Sequence, residues 1–324
     1  MQSQSFYLIS KGMGGILLNE APKISVIIPV KNEGENIENC LEAIFKQTIE
    51  PFEVIVVNGN STDNTVENAK KYPVKVFYET YNTRAGACKI GVDNASGEFI
   101  AFTDADCIVK RDWLENLIKG FDGDIVGVGG GIENAGEGIW KKSIAFAVGT
   151  FLGSAFSVQG RLYPDKRYVK SISGCNSMYR KKDLSTVGNF DVNLSTAEDA
   201  ELNNRLLKIG KLLYVPNTVV LHNHNRGLKE FAKRMRQYGY GRVKSRIWGV
   251  QIVPPLFFFF LILSLTVTNL LFLFAVSIYL VLLVLMGIKF TIQMHNLNYL
   301  YSIPVVYMII HSSYTIGVGK GIIK

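Results

Sequence analysis

The segment FIAFTDADCIVKRDWLE sets two carboxylates, Asp104 and Asp106, one residue apart at the close of an apolar run. Burying a carboxylate is costly unless positive charge meets it. On a turn leaving a buried strand, acids at i and i+2 can chelate Mg²⁺ or Mn²⁺, hard cations that keep open positions for a diphosphate. They can equally be a solvated strand end, with Asp104 capping a helix that begins near Arg111. Two further sites carry chemistry-bearing types. TAEDAELNNRL places Glu198 and Asp199 before Leu202, Leu206 and Leu207, where first-turn acids complement a helix dipole. VVLHNHN places His222 and His224 two apart, on one face if the run is a strand.

The elements that must hold these residues alternate. KISVIIPVKNE is a continuous apolar run, the signature of a strand buried on both faces. ENIENCLEAIFKQT spaces Ile37, Leu41, Ile44 and Phe45 as a helix. FEVIVVNGNSTDNT is a second strand ending in a polar loop, and STDNTVENAKKY starts a helix with Ser or Asp as its cap. VKVFYE is a third strand, RAGACKIGVDNASG a helix, and EFIAFTDAD the fourth strand. This alternation predicts an α/β fold with a mostly parallel, Rossmann-like sheet. Ligands in such sheets bind beyond the carboxyl ends of the strands, where the segments 29–33, 58–63 and 104–106 all fall.

The chain has 324 residues and a net charge of +8. It reads as soluble up to about Gly249. From Ile252 to Ile288 it carries no charge, and that length fits two membrane spans, since one needs about 20 apolar residues, with a turn at Asn269. A third apolar stretch, Tyr299 to Val318, contains Pro304 and His311. It reads as a third span, or as a re-entrant or interfacial helix. The start, MQSQSFYLISKGMGGILLNEAPK, lacks a charged region and a small-residue cleavage pattern. Basic residues before the first span favour the cytoplasmic side. A multi-pass protein of the cell membrane with a cytoplasmic soluble part is therefore expected. Cys40, Cys88, Cys107 and Cys175 lie far apart with no CxxC, which predicts neither zinc nor a disulfide framework.

ISVIIPVKNEGENIENCLEAIFKQTIEPFEVIVVNGNSTDNT and ASGEFIAFTDAD resemble the N-terminal half of family 2 glycosyltransferases with the GT-A fold. SGCNSMYRKKDLSTVGNFDVNLSTAEDAELNNRLLKIGKLLYVPNTVVLHNH resembles their acceptor half, so the likeness covers roughly residues 23 to 245. RQYGYGRVKSR and HSSYTIGVGKG resemble membrane-bound members that build exopolysaccharide or lipid-linked glycans. The resemblance implies that Pro29, Val30 and Glu33 lie along the nucleotide base and ribose. It implies that Asp104 and Asp106 hold the Mn²⁺ or Mg²⁺ that bridges the donor diphosphate, with His222 as a further ligand. Many relatives carry two acids where this chain has Asn58 and Gly59; an amide can still pair with a base edge, and Asp63 is retained. Arg84 is a candidate contact to donor phosphate. Gly174 allows close backbone approach to donor sugar or acceptor, or is a plain turn.

In the enzymes resembled, the second acid of the Glu198–Asp199 pair is the general base. Inversion at the anomeric carbon needs a hydroxyl deprotonated as it attacks, a task for Asp199 with Glu198 orienting. A phosphate acceptor is already anionic, so the pair argues for a sugar hydroxyl. Leu228, Phe231, Ala232, Met235 and Tyr238 recur at helical spacing among Lys229, Lys233, Arg234 and Arg236. Such a helix lies in the headgroup plane, and a span so near argues against nucleic acid. Arg236 and Gln237 are assigned to the diphosphate of donor or lipid acceptor.

The expected organisation is an N-terminal segment (1–22), a GT-A domain (23–227), basic interfacial helices (228–250) and a transmembrane region of two to three helices (251–324). The expected activity is metal-dependent, inverting transfer from a nucleotide-sugar donor to a hydroxyl of a lipid-linked glycan or polyprenyl acceptor. The alternatives are a polyprenyl-phosphate glycosyl synthase and a catalytically inactive nucleotide-binding homologue.

Overall fold

The computed structural model describes residues 22–154, 162–223 and 227–323, which fall into two compact units, 1–133 with 162–222, and 134–161 with 223–324. His224 and nearly all of the N-terminal segment lie outside the described residues.

The first unit opens with β1 (Ile24–Val30), α1 (Ile37–Phe45), β2 (Glu53–Asn58), α2 (Thr65–Ala69), β3 (Lys75–Tyr78), α3 (Arg84–Asn94) and β4 (Phe99–Thr103). It continues with β5 (Cys107–Val109), α4 (Trp113–Ile118), β6 (Ile125–Gly129) and β7 (Ile132–Ala135). Two helices of the second unit intervene, α5 (Ile139–Val148) and α6 (Phe151–Ser154). Then come β8 (Arg167–Val169), β9 (Asn176–Arg180), α7 (Lys181–Thr186), α8 (Glu198–Leu206), β10 (Lys211–Tyr214) and β11 (Val220–Asn223). The second unit resumes with α9 (Leu228–Lys244), α10 (Val253–Val267), α11 (Asn269–Met294) and α12 (Tyr299–Ile323).

Eight strands form one sheet in the order β3-β2-β1-β4-β9-β6-β10-β8. The half that alternation predicted, β3-β2-β1-β4, is parallel throughout. The other half is mixed because β9 inserts antiparallel between β4 and β6. The central strands β1 and β2 are apolar, β-branched and buried on both faces, as parallel sheets require: β2 is buried at every position. α1 covers one face with Ile37, Cys40, Leu41 and Ile44. α3 covers the other with Ala85, Ala87, Cys88 and Val92.

Two local readings differ from the structure. α2 begins at Thr65 without a side-chain cap. Asp63 instead ties two loops together, with Oδ2 accepting from Gly34 N at 3.0 Å and Oδ1 from Thr65 N at 3.1 Å. The helix after β5 starts at Trp113 behind Asp112, so Asp104 is not its cap.

In the second unit, Val250–Val267 and Asn269–Met294 are long and apolar enough to cross a membrane, and they bury little of themselves, 6% and 11%. They are separated at Thr268, whose hydroxyl caps α11 by accepting from Leu271 N at 3.1 Å. α12 has the opposite character: Tyr299, Ser302, Ile303, Val306, Tyr307, Ile310 and His311 are buried. Its polar groups find partners inside the unit. His311 meets Tyr279 Oη at 3.0 Å and the Leu152 carbonyl at 2.8 Å, and Ser302 meets Ser143 at 2.7 Å. α9 runs as one helix, and Phe231 and Met235 from its apolar stripe enter the same cluster as α12. A Cβ on Gly239 would lie 2.1 Å from the Tyr314 carbonyl, and one on Gly317 2.0 Å from the Arg236 carbonyl. Those two glycines let the backbones touch, and Phe231 and Met235 of the stripe are buried in the cluster that α12 builds.

Candidate functional site

The carboxyl ends of β1, β2 and β4 lie side by side because their registers pair Val30 with Asn58 and Ile27 with both Ile55 and Phe102. Loops from these ends lock onto one another. Gly59 N donates to the Val30 carbonyl at 2.7 Å, and Glu33 N to Thr65 Oγ1 at 2.8 Å. Pro29 and Val30 close β1. The Glu33 carboxylate accepts from Asn36 Nδ2 at 2.8 Å. Asn58 is buried, and its side-chain oxygen accepts from Ser61 N at 3.1 Å. Where two acids stand in many relatives, this chain thus uses an amide to hold its own loop.

Arg84 opens α3, which Thr83 caps by accepting from Gly86 N at 3.0 Å. Its guanidinium joins three segments distant in sequence. Nη2 donates to Asp104 Oδ1 at 2.5 Å and to the Gly174 carbonyl at 3.3 Å, and Nη1 donates to Glu198. A Cβ on Gly174 would lie 2.9 Å from Arg84 Nη1. A side chain at this position would make the guanidinium shift. Gly174 N in turn donates to Asp199 Oδ2 at 3.1 Å, while Asp199 Oδ1 accepts from Ala200 N at 2.7 Å.

The acid pair begins α8, and the residue before it, Ala197, holds a left-handed φ of 63°. A Cβ in that region is strained, and such strain gathers where geometry is functionally constrained. Burial pushes the Glu198 carboxyl up; Arg84 opposes this and Asp199 adds to it, leaving the value above the ordinary 4.5.

Asp106 points to a second cluster. His222 Nε2 lies 3.1 Å from Asp106 Oδ2. Burial would lower the imidazole, but the hydrogen bond and charge of Asp106 outweigh it and raise His222 to about 9. β5 and β11 pair antiparallel with His222 opposite Cys107, and the ligand atoms of Asp106, Cys107 and His222 all lie within 4.8 Å of one another. A carboxylate and an imidazole so placed fit a divalent cation.

The residues singled out from sequence thus separate into groups. Arg84, Asp104, Gly174, Glu198 and Asp199 form one bonded cluster. Asp106 and His222 form another, while the Asp104 carboxylate is taken up by Arg84. Pro29, Val30, Glu33 and Asn58 line the neighbouring strand ends. Arg236 and Gln237 lie exposed on α9 in the second unit. Sequence reasoning missed the bond from Arg84 to Glu198 and the place of Cys107 beside the metal-ligating types. The one available signal for Cys107 was its position directly after Asp106.

A family model described as "Glycosyl transferase family 2" matches residues 25–188. "Glycosyltransferase AglE" of Haloferax volcanii is 29% identical over 236 residues, covering 69% of this chain and 74% of that protein. A protein of Methanococcus voltae named dolichyl N-acetyl-alpha-D-glucosaminyl phosphate 3-beta-D-2,3-diacetamido-2,3-dideoxy-beta-D-glucuronosyltransferase is 28% identical over 234 residues, covering 67% and 71%. Among solved structures, the mannosyltransferase PcManGT from Pyrobaculum calidifontis, in complex with GDP-Man and Mn²⁺, superposes with a TM-score of 0.63 at 17% identity, over 94% of this chain and 88% of that one. At that identity the likeness shows a shared fold.

Proposed function

The chain belongs to glycosyltransferase family 2, and from that premise we propose that it is a membrane-anchored, metal-dependent, inverting enzyme. It moves a sugar from a nucleotide-sugar donor to a hydroxyl of a lipid-linked acceptor. The observation that carries this reading is the chain of bonds from Asp104 through Arg84 to Glu198, and through Gly174 to Asp199. It gathers the donor-side acid and the acceptor-side acids around one guanidinium.

In this reading Asp199 takes the proton of the attacking hydroxyl. Gly174 N and Ala200 N each donate to it, which fixes the carboxylate's orientation before an acceptor arrives. Glu198, held by Arg84, orients the acceptor or the base. Pro29, Val30, Glu33 and Asn58 border the nucleotide. Asp104, Asp106 and His222 would hold a Mn²⁺ or Mg²⁺, which supplies positive charge to the departing nucleoside diphosphate. Arg84 holds Asp104 and is the candidate contact to that anion; Arg236 and Gln237 are assigned to a diphosphate of donor or acceptor. The catalytic domain is residues 23–227, and 228–250 and 251–324 attach it to the cell membrane as a multi-pass protein. The basic face of α9 favours a cytoplasmic catalytic domain. The Methanococcus voltae relative, whose name describes transfer onto a dolichyl-linked sugar, supports a lipid-linked acceptor. The Mn²⁺ and GDP-Man in PcManGT support the cofactor and donor class.

The test incubates the full chain in membranes with labelled GDP-mannose or UDP-sugars, Mn²⁺, and either polyprenyl phosphate or a polyprenyl-linked sugar. Transfer onto the sugar hydroxyl with inverted anomeric configuration is expected. A sugar joined directly to the monophosphate would replace this reading by the glycosyl synthase. Neither transfer nor metal-stimulated donor hydrolysis, with any donor, would leave the inactive homologue.

A further inference from the structure

We propose that Asp106, Cys107, Cys175 and His222 form a site for a thiophilic divalent cation, of which Zn²⁺ is the type. The site shares Asp106 and His222 with the Mn²⁺ or Mg²⁺ reading above, and its two thiols are its own.

Four placements carry it. Cys107 and His222 are cross-strand partners on β5 and β11, and side chains directly opposed in an antiparallel pair have Cβ atoms about 4.5–5.5 Å apart. Asp106 Oδ2 is 3.1 Å from His222 Nε2, and the Cys107 sulfur lies within 4.8 Å of both ligand atoms. Cys175, in the loop entering β9, belongs to the same buried cluster as Cys107 and has Ser173 Oγ 3.3 Å from its sulfur. Both thiols are buried, Cys107 fully and Cys175 at 6% exposure. The donors are one oxygen, one nitrogen and two sulfurs. Tetrahedral Zn²⁺ takes such sets, with bonds of about 2.0–2.3 Å that space donors about 3.3–3.8 Å apart. Binding would draw the Asp106, Cys107 and His222 donors, which lie within 4.8 Å of one another, in to that spacing.

Thiolates select against Mg²⁺ and Mn²⁺ and for Zn²⁺. The same position thus binds a hard cation through Asp106 and His222, and a soft one more tightly once the thiols engage. Binding Zn²⁺ releases the two thiol protons to solvent. Zn²⁺ bound there occupies Asp106 and His222 and excludes Mn²⁺.

The experiment uses the full chain, reduced, metal-free and in detergent. Cd²⁺ titration should give one equivalent with near-ultraviolet thiolate-to-metal absorption, and zinc-edge X-ray absorption should show sulfur at about 2.3 Å. Cys107→Ser and Cys175→Ser should each weaken Zn²⁺ by more than about 100-fold, beyond what losing only a supporting hydrogen bond costs. Mn²⁺ affinity, read by electron paramagnetic resonance, should stay within about threefold, since thiols are poor ligands for it. Zinc with oxygen and nitrogen neighbours only, or Zn²⁺ affinity unchanged in both serine variants, overturns the proposal. X-ray absorption on the wild-type protein decides even if a variant fails to fold. Loss of Mn²⁺ binding in the wild-type protein, with zinc on sulfur, would count against the hard-metal reading alone.

Discussion

Arg84 Nη2 stands 2.5 Å from Asp104 Oδ1, so the first acid after strand β4 is met by a positive charge supplied by helix α3. The same guanidinium bonds Glu198, whose side chain is 6% exposed. Arg84→Ala leaves that carboxyl buried without its counter-charge, a loss of about 3 kcal/mol when a buried pair is broken on one side. Thermal unfolding should fall accordingly, and transfer should be lost. Arg84→Lys, which keeps the charge but has no fork to span Asp104 and Glu198, should recover stability more than activity.

Asp199→Asn keeps an oxygen to accept from Gly174 N and removes the carboxylate proposed as the base. The expected drop in kcat is about 10²- to 10⁴-fold, with nucleotide affinity retained in a titration. Full activity in the folded variant would remove Asp199 from its role.

Ala197→Gly relieves a left-handed residue at the head of α8. The left-handed conformation costs a non-glycine residue about 1–2 kcal/mol, partly offset by the chain entropy of glycine. Denaturant unfolding should show a gain of about 0.5–1 kcal/mol, whereas Ala197→Val should lose stability.

Acid sensitivity should trace to Glu53. It is buried, and burial alone would raise its pKa. Hydrogen bonds from Lys75, Ser25 and Ser96 outweigh this and lower it below the ordinary 4.5. The folded form thus binds its proton less readily than the unfolded chain. The stabilisation is full above about pH 4.5 and is lost as pH falls through the depressed value. Glu53→Gln should flatten this limb of the stability–pH curve and cost about 1–3 kcal/mol at neutral pH.

Gly317→Ala places a methyl where the Arg236 carbonyl already sits, at 2.0 Å. Backbone carbonyl cannot step aside as a flexible side chain can, so α9 and α12 must separate. A loss of about 1–3 kcal/mol is expected, read as a lower melting temperature in detergent. Gly319→Ala, with open space around its Cβ, serves as the neutral control.

The parallel half of the sheet was legible because buried parallel strands need uninterrupted apolar runs, and β1, β2 and β4 have them. α10 and α11 were legible for a similar reason: a charge-free stretch long enough to span needs no partner to declare itself. α12 was not. Its polar residues gave no sign of their partners: Tyr307, His311 and Ser302 meet Thr150, Leu152 and Ser143 only in the folded unit. The stripe on α9 was legible as a stripe, but the helix it faces was not.

What the linear order determined by itself is local: strand and helix periodicity, the acids Asp104, Asp106, Glu198 and Asp199 at element ends, and the apolar tail. Pairing was decided only in three dimensions. Arg84 meets Glu198 across 114 residues of chain. Cys107 meets His222 because β11 returns antiparallel to β5, and Cys175 arrives beside them on the approach to β9. Periodicity records which face an element hides, because every turn repeats the same demand. A single long-range contact leaves no such repeat, so only the closed sheet reveals which acid a guanidinium meets and which thiol an imidazole faces.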